Sequence, residues 1–186
     1  MSTFKDTPPY LPLPELLSLI DSPNQECCEK LYEENKVMFD TAAGSKTKHQ
    51  AWEGGYLDHV QEIMNIAVRL YAELNSLRPL PFSLSDSLLV LFLHDLEKPW
   101  KYAGSDEQKL EVASFADYQD FIKHKINEYG FELTDDHLNA LTYVHGEGDD
   151  YDPHVRVQWP LAAFVHTCDT ISARIWFEFP KEREKR

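Results

Sequence analysis

The chain has 186 residues, 42% of them hydrophobic and 12% aromatic, which fits one globular domain with a sizeable core and excludes a disordered chain. With 32 acidic residues against 18 basic ones the net charge is −14, a field that repels polyanions, so a nucleic acid polymer is disfavoured as partner and a small ligand favoured. The longest purely apolar run, Leu88–Leu93, falls far short of the roughly 20 residues a membrane span needs, so no membrane partner is expected.

Met1–Tyr10 has no apolar core after its charges, and no secretory signal is expected there. Residues 1–15 carry Pro8, Pro9, Pro12 and Pro14 and read as an extended proline-rich arm, a candidate for contacts in a homo-oligomer. From Leu16 the pattern turns helical, and residues 16–180 read as one domain. A helix is expected from Pro23 through Leu31 and Val37 to about Phe39, followed by a polar, basic loop over Thr41–Lys48. Cys27, Cys28 and Cys168 form an odd set with two adjacent, which disfavours a disulfide framework and makes a reducing cytoplasm the expected location.

A long helix is expected from about Glu53 to Asn75, because Tyr56, Val60, Ile63, Ala67, Leu70 and Leu74 follow the three-and-four spacing of one helical face. Pro79 and Pro81 close it. Ser83 and Ser85 are candidate caps for the next helix, expected to end near Pro99, since the residue before a proline disfavours helix. Ala113–Tyr129 reads as an amphipathic helix stopped by Gly130. Thr134, followed by Asp135 and Asp136, starts a helix reaching His145. Gly146–Pro153 is an acidic loop, Pro160 opens the last helix to about Phe177, and residues 181–186 form a charged tail. No segment alternates as a strand would. The expected fold class is all-α, a single-domain helical bundle.

One pair of residues stands out. His94–Asp95 ends the apolar run Leu88–Leu93, where unpaired polar groups are costly to bury. With a metal the two become a nitrogen and an oxygen ligand. Further candidate ligands lie at His59, beside the stripe of the long helix, and at Asp169, inside the mostly apolar last helix. Taken alone, His59 also fits a core histidine satisfied by one hydrogen bond, and Asp169 also fits a pairing with Arg174, five residues on. His145 fits either the same interior or a helix end at the surface. Two histidines and two carboxylates suit manganese, iron, cobalt, nickel or zinc about equally.

In the order His59…His94–Asp95…Asp169 these residues resemble the HD-domain superfamily of metal-dependent phosphohydrolases, whose H…HD…D ligands lie on a helical bundle. The segment from His49 to His59 (HQAWEGGYLDH) is similar to HHAYxGGLLEH of one branch, with Gln50 where that branch has a second histidine. His94-Asp95-Leu96-Glu97-Lys98 resembles HDxGK, with Glu97 in place of the glycine. The resemblance spans roughly His49 to Arg174. It implies that His59, His94, Asp95 and Asp169 hold one divalent transition metal, with a second metal involving His145 as the alternative. It also implies hydrolysis of a small phosphorylated molecule, a nucleotide above others, with Asp95, Lys98 and His145 as catalytic groups. Lys46, Lys48, His49 and Lys98 are the candidates for binding its phosphate. The rivals are a metal-dependent nuclease on RNA or DNA ends and a non-catalytic module that binds a nucleotide or a protein.

Overall fold

A computed structural model describes residues 9–177, and helix is the only regular structure among them, in ten α-helices and one 3-10 turn. The first eight residues of the expected arm and the charged tail over 181–186 lie outside the described residues. Helix begins earlier than Leu16: α1 (Leu13–Leu17) follows Pro12, with Pro14 in its first turn, where the missing N–H is not needed. Leu13, Leu16 and Leu17 are all buried, and that burial draws the end of the proline-rich stretch onto the domain.

The helix expected from Pro23 to about Phe39 is two helices, α2 (Asn24–Glu34) and α3 (Lys36–Thr41). Asn35 breaks them apart. Its side-chain amide donates to the Leu31 carbonyl (2.8 Å), while its backbone N–H slips to Tyr32 (3.2 Å). The long helix α4 (Gly55–Leu77) starts after Gly54, which takes a left-handed φ of 75°. On α4, Asn65 clamps Leu11 from both sides: Leu11 N–H donates to Oδ1 (2.8 Å) and Nδ2 donates to the Leu11 carbonyl (2.9 Å).

Ser83 caps α5 (Leu84–Leu93) in a box with Asp86, whose N–H donates to Ser83 Oγ (3.0 Å) while its carboxylate accepts from Ser83 N–H (2.7 Å). Ser85 is not the cap; its hydroxyl accepts from Asp21 N–H (2.8 Å). Ser87 to Leu93 are buried without exception, so α5 is the central helix. It ends at Leu93, not near Pro99. A tight turn follows, in which Leu96 N–H bonds Leu93 (3.3 Å) and Lys98 N–H bonds Asp95 (3.0 Å), and α6 (Glu97–Ala103) restarts beyond it. Pro99 accounts for the break. In a continuous helix its ring would meet the Asp95 carbonyl, whereas in the first turn of α6 its missing N–H is not needed.

Ala113 closes α7 (Asp106–Ala113) rather than opening the next helix, and α8 (Tyr118–Tyr129) begins after Asp117, which accepts from Asp120 N–H (2.9 Å). Gly130, at φ 78°, stops α8 as expected. The next helix, α9 (Asp135–Tyr143), opens on a Thr134–His137 capping box and stops short of His145. After a loop holding the 3-10 turn Gly148–Asp150, α10 (Pro160–Ile175) is the last helix among the described residues.

Helices α4, α5 and α10 pack pairwise on one another, α9 closes on α5 and α10, and α3 bridges α4 and α6. Phe39 centres an aromatic cluster, its ring 5.3 Å from Tyr56, 5.9 Å from Phe92 and 6.4 Å from Trp100. That cluster ties α3, α4, α5 and α6 together just ahead of the turn carrying His94–Asp95. The fold is all-α, in one domain. No helix among the described residues is long and apolar enough to cross a membrane, and all three cysteines are free.

Candidate metal centre

Three elements converge on one buried point: α4 brings His59, the turn after α5 brings His94 and Asp95, and α10 brings Asp169. His59, His94 and Asp95 place ligand-type atoms within 4.8 Å of one another. Asp169 Oδ1 lies 3.2 Å from His59 Nε2 and 3.9 Å from His94 Nε2, and Asp95 Oδ2 lies 3.7 Å and 3.0 Å from the same two nitrogens. Neighbouring residues of a regular helix diverge by about 100°, so it is the tight turn that lets His94 and Asp95 face one space.

Both Nε2 atoms are buried without an aligned hydrogen-bond partner. Such atoms are costly to leave unmet, and two of them converging with two carboxylates fit a cation taking nitrogen and oxygen ligands. Each ring is anchored from its far side. His94 Nδ1 lies 2.8 Å from the Leu91 carbonyl, which only accepts, so Nδ1 carries a proton; His59 Nδ1 lies 3.0 Å from Ser172 Oγ. The side chains present could therefore hold a metal ion.

The local charges are strongly coupled. Burial alone would raise the Asp169 carboxyl, but the close His59 imidazole and the charge of His94 outweigh it and bring Asp169 to about 2. At Asp95 burial is likewise overcome, by His94 and Lys98, and the carboxyl is held well below the usual range. Burial lowers His59, whereas at His94 burial is outweighed by the charge and hydrogen bond of Asp95 together with the charge of Asp169, which raise the imidazole. Between the two carboxylates, burial thus disfavours the charge of His59, while Asp95 and Asp169 favour that of His94.

The remaining expected site residues divide. Lys98 is drawn in, its ammonium bonded to Asp95 Oδ2 against the cost of burial. His145 stands at the rim, its side chain 41% exposed and Nε2 3.6 Å from Asp95 Oδ1. His49 packs its ring 5.5 Å from His59, and burial above all, with the ammonium of Lys98 nearby, lowers it to about 4. Lys46 and Lys48 are exposed and join no cluster residue in the contacts among the described residues. Arg174, the alternative cation for Asp169, is exposed as well. A second grouping of ligand types, Glu111, His124 and Glu128, already encloses a cation, since Lys125 Nζ lies 2.9 Å from both carboxylates.

The loop before α4 is gripped tightly. Gln50 adopts φ 49°, its carbonyl accepts from Gly44 N–H (2.9 Å), and a Cβ on Gly55 would lie 2.0 Å from that carbonyl oxygen. Glycine at 55 is what lets this loop cross the start of α4 and set His49 beside the cluster.

Two contributors, Ser172 and Glu62, escape the sequence reading. Ser172 bonds His59, Glu62 and Gln50 at 3.0, 2.6 and 3.1 Å. Their signal was periodic: Glu62 lies one turn beyond His59 on α4, and Ser172 one turn beyond Asp169 on α10. Glu97, which stands where HDxGK has glycine, is a buried carboxyl raised to about 7 by burial and the charge of Asp95. No family model, no curated protein and no solved structure matches this chain.

Proposed function

We propose that the protein is a metal-dependent phosphohydrolase acting on a small phosphorylated molecule, with a nucleotide as the favoured substrate class. The observation that carries this reading is the convergence of the buried Nε2 atoms of His59 and His94, neither with an aligned hydrogen bond, on the carboxylates of Asp95 and Asp169. The order of these four residues, similar to that of the HD-domain superfamily, supports the same reading.

His59, His94, Asp95 and Asp169 would hold manganese, iron, cobalt, nickel or zinc, with His145 at hand for a second ion. A divalent transition metal supplies Lewis acidity toward a phosphoryl oxygen and lowers the pKa of water toward ~7. Asp95, held ionised, keeps Lys98 oriented at the edge of the cluster. His49, uncharged at neutral pH, offers a phosphate a hydrogen bond rather than a charge. The half-exposed His145, its Nε2 3.6 Å from Asp95 Oδ1, would relay a proton between the reacting group and solvent. Lys46 and Lys48, on an exposed loop, raise the local attraction for phosphate. Three unpaired thiols agree with a cytoplasmic location.

Metal analysis of protein purified without chelator tests the reading. About one or two equivalents of transition metal are expected in the native chain and none in His94→Ala/Asp95→Ala, followed by nucleotide hydrolysis with that metal. No metal after reconstitution with all five ions refutes the hydrolase and leaves a non-catalytic binding module.

A further inference from the structure

We infer that Ser172, held by Glu62 and Gln50, is a positioning residue that fixes the His59 imidazole in the form whose Nε2 lone pair is free for a metal. The inference rests on the metal-centre reading above. Ser172 is fully buried on α10 and contacts three polar side chains. A serine hydroxyl has one proton and two lone pairs. The proton goes to Glu62 Oε2 at 2.6 Å, the bond in which the hydroxyl is the donor. One lone pair receives Gln50 Nε2 at 3.1 Å, because an amide NH2 only donates. The third contact, to His59 Nδ1 at 3.0 Å, is then an Nδ1–H donating to the remaining lone pair. A neutral imidazole protonated at Nδ1 carries its lone pair on Nε2, the atom facing Asp95 and Asp169.

The bookkeeping is reinforced by placement. Ser172 and Glu62 each lie one turn beyond a candidate ligand on the same helix, so one hydroxyl bonds across the two helices that supply His59 and Asp169. Gln50 reaches it from a loop whose carbonyl is gripped by Gly44 and whose φ of 49° is held by that grip. Without the hydroxyl, His59 has a competing arrangement close by: an Nε2–H turned to Asp169 Oδ1, 3.2 Å away. That arrangement satisfies the buried ring and occupies the nitrogen a metal needs. Ser172 therefore decides between an open ligand and a closed hydrogen bond.

Two readouts on the full chain test this. In metal-free protein, long-range proton–nitrogen correlation spectra of labelled histidine are expected to show His59 protonated at Nδ1 and bare at Nε2. Ser172→Ala is expected to move the proton to Nε2 and weaken cobalt(II) binding by roughly 10–100-fold, while Ser172→Thr, which keeps the hydroxyl, preserves both. A wild-type His59 protonated at Nε2 overturns the inference, and so does a folded Ser172→Ala that binds cobalt as the native chain does. If Ser172→Ala fails to fold, the native spectrum and Ser172→Thr still decide. Absence of cobalt binding by native protein refutes the metal reading instead, and the histidine spectrum then judges Ser172 separately.

Discussion

Asp169→Asn separates the electrostatic account of the cluster from a merely steric one. The Asp169 carboxyl is brought to about 2, against an ordinary value of 3.8, so its charged form is favoured by folding. Each unit is worth about 1.4 kcal/mol, which makes the contribution about 2 kcal/mol at neutral pH. The sign follows from the depressed folded value: the contribution is complete above pH 4 to 5 and drains away as pH falls toward 2. Roughly half of it is gone at pH 3. In the presence of chelator, Asp169→Asn should lower Tm by roughly 4–8 °C at pH 7 for a chain of this size. Urea unfolding at pH 7 and pH 3 should show the gap from wild type narrowing at the lower pH. An Asn variant as stable as wild type at pH 7 refutes the account, because the neighbours of Asp169 would then not favour its charge.

Metal binding must displace the proton that His94 tends to hold, so cobalt affinity should rise from pH 6 to pH 8; a flat profile in calorimetric titration would contradict the raised His94. Gly55→Ala drives a Cβ toward the Gln50 carbonyl at 2.0 Å, which is already bonded to Gly44. It should cost about 1–3 kcal/mol in urea unfolding and weaken cobalt binding, and a neutral result would mean that the loop shifts freely. Asn65→Ala removes both bonds to Leu11, at a cost of about 1–3 kcal/mol, and should speed proteolytic cleavage around residues 9–12. Unchanged cleavage would show that the buried leucines of α1 hold that segment unaided.

Where a side chain marks a helix end, the sequence is readable. Ser83, Thr134, Gly130 and Pro160 stand where expected because each satisfies or relieves terminal backbone groups. Breaks within a continuous pattern are harder. Asn35 divides α2 from α3 through a hydrogen bond of its own amide, and periodicity carries no trace of that. Pro99 acts upstream, so the end of α5 falls at Leu93 rather than beside the proline. That displacement matters for function, since it makes the His94–Asp95 turn. The cluster of His59, His94, Asp95 and Asp169 was legible, because buried histidine and aspartate in apolar surroundings are rare without a reason. Ser172 and Glu62 were not, since serine and glutamate on helices usually face water, and only the folded pairing of α4 with α10 gives them a common partner.

Glu97 runs opposite to Asp169 and so provides the sharper test of what the turn is for. Its carboxyl is buried beside Asp95, one oxygen has no hydrogen-bond partner, and it is raised to about 7 from 4.5. A raised carboxyl disfavours folding once ionised: stability is full below about pH 4.5 and falls as pH climbs through 7. By pH 8 the loss is about 3 kcal/mol. Glu97→Gln should therefore stabilise the metal-free protein at pH 8, with the gain fading toward pH 5, in contrast to the loss in Asp169→Asn. A variant less stable than wild type at pH 8 would show that Glu97 has a partner that offsets its burial. If the gain is found, this carboxyl works against folding while standing next to both Asp95 and Lys98. Its physical effect there is to add negative potential around the lysine, which lowers the pull of Lys98 on an incoming phosphate. Under the phosphohydrolase reading, Glu97→Gln should then tighten inorganic phosphate binding at pH 8 and leave it nearly unchanged at pH 5, where Glu97 is already neutral.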